Sequence, residues 1–257
     1  MALLTGGVVI AGAVGVGGAL AGAAIANPEQ IRSLYTSASL NEDGSAQVIE
    51  VIDYDFSYNS RHGIERIIPG LTPDTRFEVQ ADAPSQVDAT PLGGETRFRI
   101  GDPDRTISGQ HRYTLDYDLP GVVRGGVIDW ETFGNDWPVD TENVEVHVVA
   151  PFEIDEPQCF VGAFGTSNTC AIETVEPGHV VARVDEVPAG EGVSIEGRQG
   201  AALASTPTLD GPPPVPAEEE GTGTGVGPPA LAALGGAALA AYPMSRLVRR
   251  KGREVVS

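Results

Sequence analysis

The segment HRYTLDYDL sets the tightest bound on the fold. Tyr113, Leu115, Tyr117 and Leu119 point one way, and Arg112, Thr114, Asp116 and Asp118 the other. A period of two is the pleat of a strand with one buried face, and a helix would scatter these residues around its axis. Val144, Val146, Val148 and Ala150 alternate with Glu145, His147 and Val149 in the same way. Shorter runs lie at Phe98-Arg99-Ile100, from His179 to Val184, and at Val193-Ser194-Ile195. Turn signals separate them, among them Asn41-Glu42-Asp43-Gly44, Gly93-Gly94, Pro120-Gly121, Gly125-Gly126, Pro177-Gly178 and Pro188-Ala189-Gly190. No stretch between Ile31 and Arg198 sustains a helical period. Alternating segments with Gly/Pro turns predict an all-β domain, a β-sandwich in which immunoglobulin-like packing is one form.

The ends of the chain follow different rules. Residues 1–26 carry no charged side chain, and Ala24-Ile25-Ala26 before Asn27-Pro28 has the small-x-small form of an export cleavage site. This segment is expected to be a signal peptide or, left uncut, a signal anchor. A second apolar run, Val226 to Met244, has 19 residues, close to the ~20 that cross a bilayer. Arg246, Arg249, Arg250, Lys251 and Arg253 follow it, and positive charge beside a span stays on the cytoplasmic side. Between domain and span lies a Pro-, Gly- and Glu-rich stretch without aromatics, a composition that reads as a solvated stalk. The expected order is signal or anchor (1–26), β-sandwich ectodomain (27–200), stalk (201–227), transmembrane helix (228–245) and basic cytoplasmic tail (246–257). The protein is thus expected in the cell membrane, crossing once with its domain outside, or twice if the first segment is retained.

Charge narrows the partners. The whole chain has a net charge of −20, and the five basic residues of the tail leave 11 basic and 35 acidic residues in the rest. So acidic a surface repels phosphates, so nucleic acid is not an expected partner. The bilayer, through the C-terminal span, and an envelope protein are.

Catalytic signatures are missing. His62, His111, His147 and His179 are scattered without HExxH spacing, and there is neither a Gly-x-Ser-x-Gly elbow nor a phosphate-binding loop. With 35 acidic residues outside the tail, a chance pair of carboxylates carries little information. Gly101-Asp102-Pro103-Asp104 and Asp43 read as turns, and no calcium-loop spacing accompanies them. Trp130 and Trp137 flank a Gly/Asn/Asp loop, as core-rim packing or as an aromatic binding surface. No catalytic, cofactor-binding or metal-binding residue is assigned, and no cofactor is expected. Cys159 and Cys170 are the two cysteines; in an exported domain they form one disulfide, while a metal site would lack the further ligands it needs.

Four elements in order resemble the bacterial DUF2207 family of predicted membrane proteins. They are Asp43-Gly44-Ser45-Ala46-Gln47-Val48-Ile49-Glu50-Val51-Ile52-Asp53-Tyr54-Asp55-Phe56; His62-Gly63-Ile64-Glu65-Arg66-Ile67-Ile68-Pro69; Arg99 to Asp104 with Gly109 to Tyr117; and Asp129-Trp130 with Gly134-Asn135-Asp136-Trp137-Pro138-Val139. The resemblance spans roughly Ile31 to Arg198. It implies an extracytoplasmic β-sandwich beside transmembrane segments, with no established activity. It also implies relatives that continue into further spans, which would house any function located there.

Within the first element Glu50 shares its face with Val48, Ile52, Tyr54 and Phe56, which turns a carboxylate toward the core. A carboxylate there needs a cation, and Arg66 of the second element is the candidate, since its planar fork bonds a carboxylate through two donors. Ile49 and Val51, on the opposite face, leave open a bulge that would reverse the assignment. The functional expectation is a non-enzymatic, membrane-anchored interaction module. The alternative is an extracytoplasmic hydrolase or carbohydrate-binding domain using acidic loop residues.

Overall fold

The computed structural model describes residues 28–165 and 168–214. The signal or anchor segment, the transmembrane helix and the basic tail lie outside them. Among the described residues no helix is long and apolar enough to cross a membrane.

Among the described residues fourteen strands form three sheets. They are β1 (Gln30–Leu40), β2 (Ala46–Asp55), β3 (Ile64–Pro69), β4 (Phe77–Ala81), β5 (Val87–Pro91), β6 (Glu95–Ile100), β7 (Gln110–Leu119), β8 (Val123–Arg124), β9 (Val127–Phe133), β10 (Thr141–Val149), β11 (Phe152–Gly162), β12 (Ala171–Glu176), β13 (His179–Val187) and β14 (Gly192–Ala202). The largest sheet has the order β12-β13-β10-β1-β2-β7-β4; a second runs β11-β14-β9-β8 and a third β3-β6-β5. β1 and β10 pair in parallel, Ile31 opposite Thr141 and Ser39 opposite Val149, and every other pairing is antiparallel. One apolar core joins the three sheets: Val48, Ile52, Leu115 and Val146 from the large sheet meet Ile68 and Phe98 of the third and Ile128, Trp130 and Ile195 of the second. Phe77 stacks on Phe98 at 3.8 Å between ring centres, one of the contacts that tie large sheet to small.

β7 buries Tyr113, Leu115, Tyr117 and Leu119, the face that its alternation marks out. β2 departs from simple alternation for a different reason. Its pairing with β7 runs without interruption from Ala46–Leu119 to Asp55–Gln110, so no bulge reverses Glu50. Val51 is buried all the same, as are Tyr35, Val149 and Val181, yet none of the four belongs to the main core. They lie on the outer face of the large sheet, beneath the chain that follows β14. Leu203 begins this cover, its N–H donating to the Pro151 carbonyl and its side chain packed at Gly178. Leu203, Pro207 and Leu209 are half-buried, and Arg112 on β7 donates to the carbonyls of Pro213 (2.9 Å) and Pro214 (3.5 Å). Residues 203–214 thus form a strap laid over the sheet, where composition suggests a solvated stalk. Their carbonyls and three spaced apolar side chains suffice for that, since a strap needs no core of its own.

Two family elements meet through glycine. Gly63 (φ +123°) and Gly101 (φ +151°) face each other where β3 and β6 begin their pairing; a Cβ on Gly63 would stand 1.9 Å from the Ile100 carbonyl oxygen and one on Gly101 1.7 Å from that of His62. No side chain fits there, so Gly101→Ala is expected to abolish folding or cost several kcal/mol. A soluble variant with an unchanged melting temperature would contradict this.

Candidate functional site

The structure brings Glu50 and Arg66 together across the layers. Arg66 donates through Nε to Glu50 Oε2 at 3.0 Å and through Nη2 to Oε1 at 2.9 Å. Their side chains are 3% and 1% exposed, so the pair is screened from water. Tyr117 of β7 adds a third member, its hydroxyl donating to Glu50 Oε1. Burial pulls the Arg66 guanidinium down, but the Glu50 charge and hydrogen bonds outweigh it and hold the cation above its usual range. Burial, then the Glu50 charge, drives the Tyr117 hydroxyl well above a phenol's usual value, so it stays a donor. The group is spent on itself: both carboxylate oxygens are occupied, and Arg66 Nη1 donates to the Ile67 carbonyl. Tyr117 is the member that sequence reasoning missed; it lies on the same inward face of a β7 strand paired with β2 in a register no local pattern encodes.

Above this group the two small sheets leave a gap. β3 is an edge strand, and β9 pairs with the short β8 only at Val127 and Ile128. A cavity of about 340 Å³ lies between them, lined by Ile68 and Gly70 on one side, Asp129 and Glu131 on the other, and Tyr117 and Leu119 of the large sheet. A second cavity of about 310 Å³ lies on the outer face of β9 and β14 under the 162–165 loop, where Asp129 and Glu131 recur with Phe164 and Glu196. Trp130 lines the first cavity but is 3% exposed and packed in the shared core, and Trp137, also 3% exposed, stacks on Phe133 at 5.8 Å, so the two form no joint aromatic platform.

The outer face of the large sheet gathers a polar cluster beneath the strap. His147 Nε2 lies 2.6 Å from Glu145 Oε1 and its Nδ1 lies 3.0 Å from His179 Nε2. Glu145 is an acceptor only and so fixes the His147 proton on Nε2; in the neutral pair His147 Nδ1 then accepts from His179. Tyr35, Arg183, Glu173, Glu176 and Asp210 surround the pair. Burial, and then the neighbouring His147, hold His179 below the usual imidazole value. The unfolded chain therefore takes up this proton first as pH falls, and stability drops from about the ordinary value of 6.5 downward through the folded value. Glu145 is pushed up by burial but held below 4.5 by the His147 hydrogen bond and the Arg183 charge, which adds a further loss in more acid solution. The melting temperature should thus decline from pH 7 to pH 5, and less steeply in His179→Asn; equal slopes would contradict the assignment.

The other carboxylates singled out by sequence serve turns. Asp102 Oδ1 accepts from the Asp104 N–H at 2.9 Å, and Asp43 Oδ1 from the Ser45 N–H at 3.0 Å and its hydroxyl at 2.6 Å. His62 Nδ1 lies 3.1 Å from the carbonyls of Asp102 and Arg105, and His111 Nδ1 3.1 Å from Asp82. Among the described residues no cluster of three or more His, Cys, Asp or Glu is set to hold a metal ion. Cys159 and Cys170 form a disulfide, joining β11 of the second sheet to the start of β12 in the large one.

Fourteen strands in three sheets around one core, with a buried ion pair between layers, define a β-rich domain. The family model described as "Predicted membrane protein (DUF2207) N-terminal domain" matches residues 30–197, and the chain belongs to that family. No curated protein matches. Among solved structures, the chain is similar to one from Parabacteroides distasonis described as a putative protease, at 12% identity and TM-score 0.43, over 66% of this chain and 40% of that one. It is similar also to an M1 zinc metallopeptidase from Deinococcus radiodurans (12%, TM-score 0.37, 65% of this chain and 42% of that). A third is the yeast LTA4 hydrolase (10%, TM-score 0.41, 65% and 29%). The chain spans less than half the length of each, and likenesses this distant carry no argument about its chemistry.

Proposed function

We propose that this protein is a membrane-anchored extracytoplasmic module that works by holding a partner, a protein or an envelope component, and not by catalysis. Its β-sandwich, with immunoglobulin-like packing, stands outside the cell, displayed by the C-terminal span with the basic tail inside. One observation carries the reading: the buried charges of the interior are consumed by one another, while the open space lies between the free edge of β3 and the part of β9 beyond its short pairing with β8. Unpaired strand edges are where extended partners add to sheets. A photo-crosslinking side chain at Val127, which is 48% exposed and lines that space, tests it in intact cells against the same probe at Glu42. A discrete adduct from position 127 and none from 42 is expected; no adduct at either would overturn the reading.

Asp129 and Glu131 favour the second reading, a hydrolase or carbohydrate-binding domain, because both line both cavities. Glycan binding or hydrolysis by the purified protein that disappears in Asp129→Asn or Glu131→Gln would establish it in place of the first.

A further inference from the structure

The strap turns the chain around. β14 ends at Ala202 beside Pro151 and Gly178, at the pole where β10 ends and β13 begins. From there residues 203–213 cross the outer face, past Tyr35, whose hydroxyl feels the Asp210 charge, to Arg112. Ten residues of extended chain cover roughly 33 Å, enough to run the length of the sheet. Arg112 sits opposite Asp53, two pairs from the start of β7, and Gln110 pairs with Asp55, which pairs with Gln30 at the start of β1. The chain therefore enters and leaves the domain at one pole.

That same pole carries the two most exposed large apolar side chains, Tyr58 at 92% in the β2–β3 loop and Phe164 at 94% in the β11–β12 loop. Hydrogen bonds hold the strand ends that carry these loops: the Phe56 N–H donates to the Gly109 carbonyl, and Asn135 Nδ2 to that of Gly162. The basic groups around the chain entry are neutralised in pairs: Arg61 with Glu29 (2.6 Å), Arg32 with Asp55 (2.8 Å) and Arg112 with Asp53 (2.6 Å). Asp102, Asp104 and Asp136 outnumber Arg105 among the other charged side chains of these loops, which disfavours an anionic lipid surface.

The geometry points to this pole as the face the domain turns to the bilayer, with Tyr58 and Phe164 seated in a zwitterionic headgroup layer. Exposed aromatic rings of this kind belong at a membrane–water interface. Three residues separate Ala26 from Gln30, and the chain that leads toward the second apolar run leaves the described residues at this pole. The inference rests on the membrane-anchored reading and adds the orientation of the domain, hence which cavity faces away from the lipid. The contacts at Arg112 fix where the chain leaves the domain, whether or not the N-terminal segment is retained.

The test uses the full chain in phosphatidylcholine vesicles, with Tyr58→Cys, Phe164→Cys or Glu42→Cys labelled by an environment-sensitive fluorophore without reducing the native disulfide. Glu42 is exposed in the β1–β2 turn at the opposite pole. Spin-labelled lipid should quench the labels at 58 and 164 several-fold more than the label at 42, while aqueous iodide shows the reverse order. Equal quenching at the three positions on protein that floats with the vesicles overturns the orientation and leaves the anchor standing. Protein that fails to float overturns the anchor, and the orientation with it.

Discussion

Glu50→Ala should lower stability by about 3–5 kcal/mol, because it leaves Arg66 buried without the carboxylate that bonds it through two donors, with Glu131 the remaining acid whose charge reaches it. For a domain of this size that corresponds to a fall in melting temperature on the order of 10 °C. The size of the effect comes from desolvation: Arg66 is 3% exposed, and among its hydrogen bonds only those to Glu50 offset its charge. Removing the whole group should behave differently. The combination Glu50→Leu, Arg66→Met and Tyr117→Phe removes the three polar side chains together, at the loss of one donor to the Ile67 carbonyl, and should be near neutral or more stable than the native protein. Thermal unfolding of the single and triple variants decides between these outcomes. An unchanged melting temperature in Glu50→Ala would show that the pair does not hold the two layers together. A triple variant as unstable as the single one would show that the group sets strand register in a way apolar packing cannot replace.

The second large effect belongs to the disulfide. Cys159 and Cys170 are 11 positions apart, and closing a loop of this length removes unfolded-state entropy worth about 3 kcal/mol. The bond joins two different sheets, β11 being the edge of one and β12 the edge of the other, and the Cys170 N–H donates to the Cys159 carbonyl beside it. Replacing both cysteines by alanine should therefore lower the melting temperature and raise hydrogen exchange first in β12, the outermost strand of the large sheet. Unaltered protection in β12 after the exchange would contradict that account. The same bond matters for compartment, since it persists where the surroundings are oxidising.

What could be read from sequence was whatever depends on local period and turn chemistry. β7 and β10 are legible because each presents one apolar face, and the turns at Gly44, Gly93-Gly94, Gly125-Gly126 and Gly178 carry residues with positive φ. β11 is hard to see because Pro157 falls inside it; the strand tolerates this at an edge, through a register shift between Asp155 and Gln158 and a positive φ at Glu156. The parallel pairing of β1 with β10 joins residues more than a hundred positions apart and leaves no trace in either strand. Glu50 signalled itself as a carboxylate on an apolar face, whereas Tyr117 reads as one more core aromatic until the register places its hydroxyl on Glu50. The strap was the least legible element. Its prolines and glycines describe a chain without a core, and its anchors, the turn at Gly178 and Arg112 on β7, are distant in sequence.

Limited proteolysis of intact cells tests the central claim, a domain displayed outside the membrane, most directly. With an epitope joined after Ser257, added protease should degrade the β-rich domain while the epitope on the basic tail stays protected until the cells are lysed. A domain that resists protease until lysis, or an epitope lost from intact cells, would contradict it.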